Sequence, residues 1–162
     1  MKDDKHIRQQ AMNLFEQAYQ HQMRGELGNA IALYKRSIDT YPTAEAYTYL
    51  GWTYSLLGHY EQAITMCHKA IEIDPDYGNP YNDIGAYLIE LGQHEDAIVW
   101  LEQALMAPRY ETPHFPLLNL GRAFEALGQY ERALAFYQQA IEIAPLYLPA
   151  RWAKQALLGR MN

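Results

Sequence analysis

Apolar residues recur along this chain at the spacing of an α-helix, in pairs of stripes separated by short breaks. Tyr47, Leu50 and Tyr54 stand three and four residues apart, so they fall on one face of a helix. After a break around Gly58, a second stripe contains Ala63, Ile64, Cys67, Ala70 and Ile71. The pattern predicts two consecutive helices joined by a tight turn.

This two-helix pattern returns at a nearly fixed interval. Gly51 is followed by an equivalent glycine 34 residues later at Gly85, and by a third 36 residues after that at Gly121. An interval of that size is typical of stacked supersecondary units, which build a solenoid, and it argues against a catalytic domain. A second glycine stands where the first helix must stop and the chain reverse. These turn glycines are Gly58, Gly92 and Gly128, with Gly25 further upstream.

Small residues indicate how closely the two helices of a pair approach. Glycine inside a helix costs roughly 0.5–1 kcal/mol relative to alanine, so its return at one place indicates a packing requirement. We expect these glycines to lie against alanines of the second helix. The expected pairs are Gly51 with Ala63, Gly85 with Ala97, and Gly121 with Ala133.

Prolines and capping residues mark the ends of the helix pairs. Proline cannot continue the preceding helix, and it follows the second helix of a pair at Pro42 and Pro145. Thr43 and Asn79 come just before a new helical stripe, where a side-chain oxygen can accept a hydrogen bond from the first turn. We expect both to be N-caps, Asn79 with Pro80 in the first helical turn.

These residues resemble the tetratricopeptide repeat family. The resemblance is carried between residues 44 and 77 by Tyr47, Leu50, Gly51, Tyr54, Gly58, Tyr60, Ala63, Ala70 and Pro75. It implies an all-α, right-handed superhelical solenoid of antiparallel helix pairs. The implied division is a polar extension of the first helix at 1–10, a diverged repeat 1 at 11–43, repeat 2 at 44–77, repeat 3 at 78–111, a two-residue insertion with repeat 4 at 112–147, and a capping helix at 148–162. Within the capping helix, Trp152 is a candidate for sealing the C-terminal end.

The junction between repeats 3 and 4 departs from the pattern. The segment from Ala107 to Pro116 carries three prolines and two residues beyond the usual period. We expect a longer loop there and an altered angle between the two repeats. A tolerated surface insertion is the favoured interpretation, because connections run over the surface and accept extra residues. A functional bend is the alternative.

Composition and charge restrict the class of partner. The formal net charge of −6 argues against nucleic acid, because phosphate binding needs clustered Lys and Arg. No apolar run approaches the roughly 18–20 residues that cross a bilayer, and the polar start from Met1 to His6 lacks the apolar core of a secretory signal. A single cysteine, Cys67, excludes an internal disulfide and fits a reducing compartment. We therefore expect a cytoplasmic protein that binds neither nucleic acid nor a membrane.

The sequence lacks the patterns of a catalytic or metal-binding protein. Its histidines show no ligand spacing on one helix face, and its glycines are isolated rather than grouped in a phosphate-binding loop. Cys67 takes the place that Leu101 and Tyr137 hold in other repeats, which predicts a buried structural thiol rather than a nucleophile. We expect no enzymatic activity, no cofactor and no metal site.

The candidate binding residues follow from the resemblance, which implies that the first helix of each repeat lines a concave groove. Residues of that helix outside the packing stripe are Phe15, Tyr19, Tyr49, Trp52, Asn79, Asn82, Asp83, Asn119 and Arg122. Aromatic rings fill pockets at modest entropic cost, and a carboxamide offers a donor and an acceptor to a peptide unit. Asn119 stands where family members often hold the ligand backbone. Trp52 is the strongest single candidate, because the repeat pattern gives it no packing role.

The predicted partner is a protein or peptide segment, extended or helical, of neutral or basic charge. Family members that bind chaperone tails hold a terminal carboxylate with Lys, Asn and Arg, whereas the comparable places here contain neither Lys nor Arg and include Asp83. Juxtaposed like charges cost several kcal/mol, so an anionic chain end is disfavoured. The alternative is a self-associating scaffold, a homo-oligomer that uses outer or terminal faces. Trp100 and Tyr110 are candidate outward contacts for that alternative.

Overall fold

A computed structural model of the chain describes residues 2–162, without the side chain of Lys2. Met1, the first residue of the predicted extension at 1–10, lies outside the described residues. Within them the backbone forms nine α-helices. These are α1 (Lys2–Met23), α2 (Leu27–Thr40), α3 (Ala44–Leu56), α4 (Tyr60–Ile73), α5 (Asn79–Glu90), α6 (His94–Met106), α7 (His114–Ala126), α8 (Tyr130–Ile143) and α9 (Leu148–Met161).

The helices fall into two compact units, which we call the N-terminal unit, ending at Pro75, and the C-terminal unit, beginning at Asp76. In the N-terminal unit, α1 packs against α2 and α3 against α4, while α2 also contacts α3. Its core contains Ala18, Ala30, Tyr34 and Leu50. The small alanines let the helices approach closely, and the larger side chains fill the space between successive pairs.

The C-terminal unit repeats this arrangement and adds one helix. Here α5 pairs with α6 and α7 with α8, while α6 contacts α7 and α9 packs on α8. Leu117, Ala140 and Ala150 form a buried cluster where α9 covers the last pair. Trp152 takes no part in this cover, because its side chain is 64% exposed. The predicted sealing role therefore belongs to Ala150 and Leu157, which are buried.

The predicted turn glycines are confirmed. Gly25, Gly58, Gly92 and Gly128 have φ angles of 78°, 78°, 77° and 75°, in the left-handed region that disfavours a side chain. At Gly58 the turn is closed by a hydrogen bond of 3.0 Å from the His59 amide to the Tyr54 carbonyl. The six-residue closure is the Schellman arrangement that ends a helix and reverses the chain.

The glycines between paired helices lie at close contacts with the second helix of each pair. A methyl group placed on Gly51 would lie 3.0 Å from the carbonyl oxygen of Ala63, as expected. On Gly85 it would meet the side chain of Leu101 at 2.5 Å, before the carbonyl of Ala97 at 3.3 Å. On Gly121 the methyl group would meet the ring of Tyr137 first. The ring of Tyr137 reaches across the pair to Gly121, and the contact of Gly121 with Ala133 stays a prediction.

One of the two predicted N-caps is confirmed. The Thr43 hydroxyl oxygen accepts a hydrogen bond of 3.1 Å from the Ala46 amide. The prediction for Asn79 is wrong, because α5 begins at Asn79 itself and Gly78 is the N-cap. The reason is a tertiary contact: the Gly78 amide donates to the carbonyl of Arg109 at 3.0 Å, which fixes the end of the turn one residue earlier.

The junction between α6 and α7 is longer than the other connections, as predicted, but it is not a free surface insertion. The Arg109 amide donates to the Asp76 carbonyl at 3.1 Å, and Tyr77 and Arg109 form an isolated parallel bridge. The Arg109 guanidinium also lies 5.0 Å from the centre of the Tyr77 ring. Tyr110 is half-buried and packs against Gly78. The junction is therefore tied to the start of the C-terminal unit.

Candidate functional site

Five aromatic rings of the N-terminal unit form one continuous cluster. We call Phe15, Tyr19, Tyr34, Tyr49 and Trp52 the aromatic cluster. Tyr49 is its centre, with ring centroids 5.1 Å from Phe15, 5.8 Å from Tyr19 and 5.8 Å from Trp52. The rings meet nearly edge to face, at 82°, 82° and 68°. Edge-to-face pairs are worth about 0.5–1.5 kcal/mol beyond their buried area, so the cluster holds its members in place.

The aromatic cluster runs from the core to the surface. Tyr34 is fully buried, and Phe15 and Tyr49 are half-buried. At the outer end, Tyr19 is 39% and Trp52 36% exposed. A large ring that is both accessible and held by buried neighbours has little conformational entropy to lose on binding. This is the property of a binding anchor.

The inner end of the aromatic cluster is anchored by a buried hydrogen bond. The Tyr34 hydroxyl donates to the Gln22 side-chain carbonyl at 2.7 Å, joining α2 to α1. Burial raises the pKa of the Tyr34 phenol well above its ordinary value, so the group stays neutral and keeps its donor hydrogen. The C-terminal unit repeats this bond between Tyr137 and Glu125, at 2.5 Å.

Polar side chains of the C-terminal unit form a second group, which we call the amide network. Its members are Asn82, Asn119, Arg122 and Glu90. The Asn119 side-chain amide donates to the Asn82 carbonyl oxygen at 3.0 Å, and Arg122 donates to the Asn119 carbonyl oxygen at 3.2 Å. Arg122 also pairs with Glu90 at 3.1 Å. The network joins α5 to α7 and fixes the direction in which each carboxamide points.

Asp83 lies beside the amide network. Its carboxylate accepts a long hydrogen bond of 3.4 Å from the Asn82 side chain. Burial raises the pKa of Asp83 to about 7, because a half-enclosed carboxylate is poorly solvated. Its charge therefore changes near neutral pH, which alters the electrostatics of this group of residues. Asn79, at the start of α5, is half-buried.

The structure thus places the nine predicted residues in two groups, one in each unit. Phe15, Tyr19, Tyr49 and Trp52 belong to the aromatic cluster, and Asn82, Asn119 and Arg122 to the amide network, with Asn79 and Asp83 on the same helix as Asn82. Sequence reasoning missed Tyr34, Gln22 and Glu90. A signal for Glu90 exists: it precedes Arg122 by 32 residues, close to one repeat, and bears the opposite charge.

The described part of the chain carries neither a metal-binding cluster nor a membrane-spanning helix. Among residues 2–162, His, Cys, Asp and Glu form no group of three that could hold a metal ion. Cys67 is buried, as predicted. None of the described helices combines the length and the apolar character needed to cross a bilayer.

Stacked helix pairs closed by left-handed glycines define a helical repeat protein. Sequence models described as Tetratricopeptide repeat match residues 44–77 and 116–147, and a second model of the same description matches residues 66–99. Together the matched segments span more than half of the chain. The chain belongs to the tetratricopeptide repeat family, and this membership supports a role as a protein–protein interaction module.

The chain is similar to parts of larger proteins. It is 26% identical over 137 residues to anaphase-promoting complex subunit 3 of Schizosaccharomyces pombe, a match that covers 84% of this chain and 20% of that protein. Matches to other curated relatives cover 10% to 24% of their length. The chain therefore spans less than a quarter of the curated relatives that it matches.

Solved structures share the fold at low sequence identity. The pilF protein of Pseudomonas aeruginosa superposes with a TM-score of 0.86 at 18% identity, over 95% of this chain and 70% of that one. MamA of Desulfovibrio magneticus RS-1 gives a TM-score of 0.75 at 20% identity, over 93% of this chain and 85% of that one. Identities this low establish a common architecture and nothing more.

Proposed function

We propose that the chain is a non-catalytic module that binds a segment of a partner protein on the first helices of its repeats. The aromatic cluster would supply the anchors in the N-terminal unit. Asn79, Asn82, Asp83, Asn119 and Arg122 would supply polar contacts in the C-terminal unit. The observation that carries the proposal is the position of Trp52. Its large ring is exposed at the surface, contacts the ring of Tyr49, and is not among the buried core residues that the structure describes.

The polar group supports the same proposal in a more limited way. Asn119 is 8% exposed, and both its amide and its carbonyl are already hydrogen-bonded within the amide network. Each carboxamide can make further hydrogen bonds, since the amide carries two donors and the oxygen two lone pairs. Asn119 would contact a peptide backbone while it keeps its internal partners.

The test is selection of binding peptides by display on the folded chain, followed by affinity measurements on variants. Trp52→Ala removes the proposed anchor, and we expect at least about a tenfold loss of affinity, as for a hot-spot residue. Trp152→Ala is the matched control, because it removes another exposed tryptophan in the other unit. Equal affinities of the parent and the Trp52→Ala chain, both folded by circular dichroism, would refute the proposed anchor.

A second candidate function is self-association through the terminal helix. Leu146, just before α9, and Leu148 and Trp152, in its first turns, are large apolar side chains exposed to solvent. The outward contacts predicted from sequence are less suitable. Tyr110 packs against Gly78, and the half-buried ring of Trp100 lies 6.1 Å from that of Tyr81. Sedimentation velocity over a range of concentrations tests this function, and here Trp152→Ala, not Trp52→Ala, should shift the chain to monomer.

A further inference from the structure

The N-terminal unit contains a half-open cavity of about 480 Å³. It lies between the first half of α1, the end of α2 and the start of α3. Six of the residues that line it are Ala11, Met12, Phe15, Glu16, Ser37 and Tyr41. We call this space the N-terminal cavity. It adjoins the aromatic cluster, because Phe15 belongs to both.

The floor of the N-terminal cavity favours an apolar occupant. Ala11 and Ser37 are buried there, and the Ser37 hydroxyl donates to the Ala11 carbonyl at 2.7 Å. The one hydroxyl of the floor is thus already satisfied and does not call for a polar ligand. Phe15 and the exposed thioether of Met12 add apolar wall. Methionine adapts its shape readily to an incoming ring.

The C-terminal unit shows what fits a space of this kind. Gly78 and Asp83 stand five residues apart on α5 and its cap, as Ala11 and Glu16 do on α1. Ala104 follows Gly78 by 26 residues, the same separation as from Ala11 to Ser37. The place that Gly78 and Asp83 define is filled by an aromatic side chain of the same chain, Tyr110.

The contact with Gly78 locates Tyr110 there. A methyl group placed on Gly78 would lie 2.6 Å from the Cβ and 2.7 Å from the Cγ of Tyr110. Burial raises the pKa of the Tyr110 phenol, and the nearby charge of Asp83 adds to the rise. The ring therefore lies against the equivalent of Ala11, and its phenol is within reach of the charge of the equivalent of Glu16. Tyr110 arrives on an extended segment directly after a basic residue, Arg109.

We infer that the N-terminal cavity binds a tyrosine or phenylalanine side chain of an extended partner segment that carries a neighbouring Lys or Arg. The occupant corresponds to the Arg109–Tyr110 segment of the C-terminal unit. This inference rests on the proposed function, since it names the chemistry of one part of the bound segment. It adds a binding site outside the surface formed by Tyr49 and Trp52.

The charges at the rim support a basic neighbour. Arg8 forms an ion pair with Asp4 at 3.1 Å and lies 4.8 Å from the centre of the Tyr41 ring, so its charge is already balanced. Glu16 adds a carboxylate to the lining. The rim is therefore net negative and complementary to a cationic side chain, which raises the association rate and selects the partner.

The experiment is an NMR titration of the ¹⁵N-labelled full chain with a blocked Ala-Pro-Arg-Tyr peptide. We expect saturable shifts of the Ala11, Met12 and Ser37 amides. Replacing the tyrosine of the peptide by alanine should weaken binding at least tenfold, and replacing its arginine by aspartate at least threefold. A peptide with leucine in place of the tyrosine is a further comparison, and equal binding by it would overturn the inference of an aromatic occupant. Equal binding by the aspartate peptide would overturn the inference of a basic neighbour.

Variants of the chain test the location. Ala11→Leu fills the floor of the N-terminal cavity, and Met12→Trp narrows its opening. Because Met12 is 56% exposed, the second variant should fold even if the first does not. Both should abolish the shifts. Glu16→Gln should weaken binding several-fold and reduce its salt dependence, whereas Glu102→Gln, an exposed glutamate on α6, is the matched control and should change nothing. Unaltered binding to the Met12→Trp chain would overturn the inference.

The two proposals fail in different ways. If Trp52→Ala weakens display-selected peptides while Ala11→Leu and Met12→Trp do not, the proposed function holds and the cavity inference is wrong. If none of the three variants matters, both are wrong. If Met12→Trp instead abolishes self-association of the chain, the cavity holds a second copy, and the inference of a foreign aromatic segment is overturned.

Discussion

The room for a side chain at a helical glycine in this protein depends on the residue that faces the glycine from the paired helix. Opposite Gly121 that side chain is the ring of Tyr137, opposite Gly85 it is Leu101, and opposite Gly51 the Cys67 sulfur lies 3.4 Å from a methyl group placed on the glycine. A larger facing residue makes the glycine more necessary. Helix propensity alone would favour alanine at all three places, so the cost of substitution measures the contact itself.

Gly121→Ala is expected to destabilise the chain by about 1–3 kcal/mol, because the new methyl group would overlap the Tyr137 ring and force it out of its buried place. Gly28→Ala is the matched control. Apart from the chain neighbours and the backbone of its own helix, no described atom lies within 4 Å of a methyl group at Gly28, so that variant should be neutral or more stable by up to about 1 kcal/mol. Urea unfolding midpoints measure both. Equal effects of the two substitutions would contradict this account of the packing.

Asp83 gives the stability of the folded chain a specific pH dependence. Its pKa rises from 3.8 to about 7 because burial disfavours the charged form, so the folded state holds the proton more tightly than the unfolded state. The associated stability is fully present below pH 3.8 and is lost as the pH rises to about 7. Above that pH the carboxylate is charged in both states and the loss is constant.

Asp83→Asn should therefore stabilise the chain at pH 8 relative to the parent, by at most about 4 kcal/mol, and much less at pH 4. The quantity to measure is the difference in unfolding free energy between the two chains at several pH values, in which the contributions of all other titrating groups cancel. Asp96→Asn, the same substitution at an exposed position of α6, is the control. A flat difference for Asp83→Asn would show that this carboxylate is well solvated.

Among the helical elements, two of the pairs are tied by an equivalent tyrosine hydrogen bond. Tyr34 on α2 donates to Gln22 on α1, and Tyr137 on α8 donates to Glu125 on α7. The separation in sequence is 12 residues in both pairs. The tyrosine hydroxyl needs a partner once its ring is buried, and the acceptor comes from the last turn of the first helix.

Tyr137→Phe should cost about 1 kcal/mol, the usual net value of one internal hydrogen bond. Glu125 keeps its ion pair with Arg160, which limits the loss. Tyr34→Phe should cost more, since the side-chain amide nitrogen of Gln22 is already buried without a partner among the described residues, and the oxygen would then lose its partner too. Thermal unfolding measures both, with the exposed Tyr130→Phe as control. A neutral Tyr34→Phe would contradict this reasoning.

Local sequence was sufficient to predict most of the elements and insufficient for the contacts between them. A turn glycine such as Gly58 can be predicted from sequence, because glycine is the residue that usually occupies the left-handed conformation at the end of a helix. The burial of Cys67 is readable because the repeat aligns it with Leu101. The contact of Gly121 with Tyr137 was missed because periodicity gives the face of a residue but not the reach of the side chain opposite.

The candidate site shows the same division. The exposed position of Trp52 follows from the repeat pattern, since no packing place falls on it. The tie between Arg109 and Tyr77 and the position of Tyr110 against Gly78 do not follow, because the inserted residues have no counterpart in the other repeats. Inserted residues have no equivalent positions in the other repeats from which their burial could be predicted. Tertiary contacts alone decide whether such a segment stays on the surface or packs against the helices.

For the chain as a whole, stability in repeat proteins is a sum of local repeat terms and nearest-neighbour contacts. The terminal helix α9 shows the consequence most directly. It covers Leu117 and Ala140 with Ala150, and Leu157 is also buried. Loss of this cover exposes one end of the C-terminal unit, and the damage should decrease with distance along the helices of that unit.

Removal of residues 148–162 should therefore increase hydrogen exchange most in α7 and α8, and least in α1 and α2, which belong to the N-terminal unit. Leu157→Ala is a gentler form of the same test, and its cost of about 2–5 kcal/mol corresponds to more than tenfold faster exchange in α8. Trp152→Ala is the control, because its exposed ring covers no cluster in this unit that the structure describes. Equal acceleration in all helices would mean that the chain unfolds as one cooperative block. The nearest-neighbour description would then be wrong for this protein, and Leu157 would stabilise the aromatic cluster of α1 to α3 as strongly as the helices that it touches.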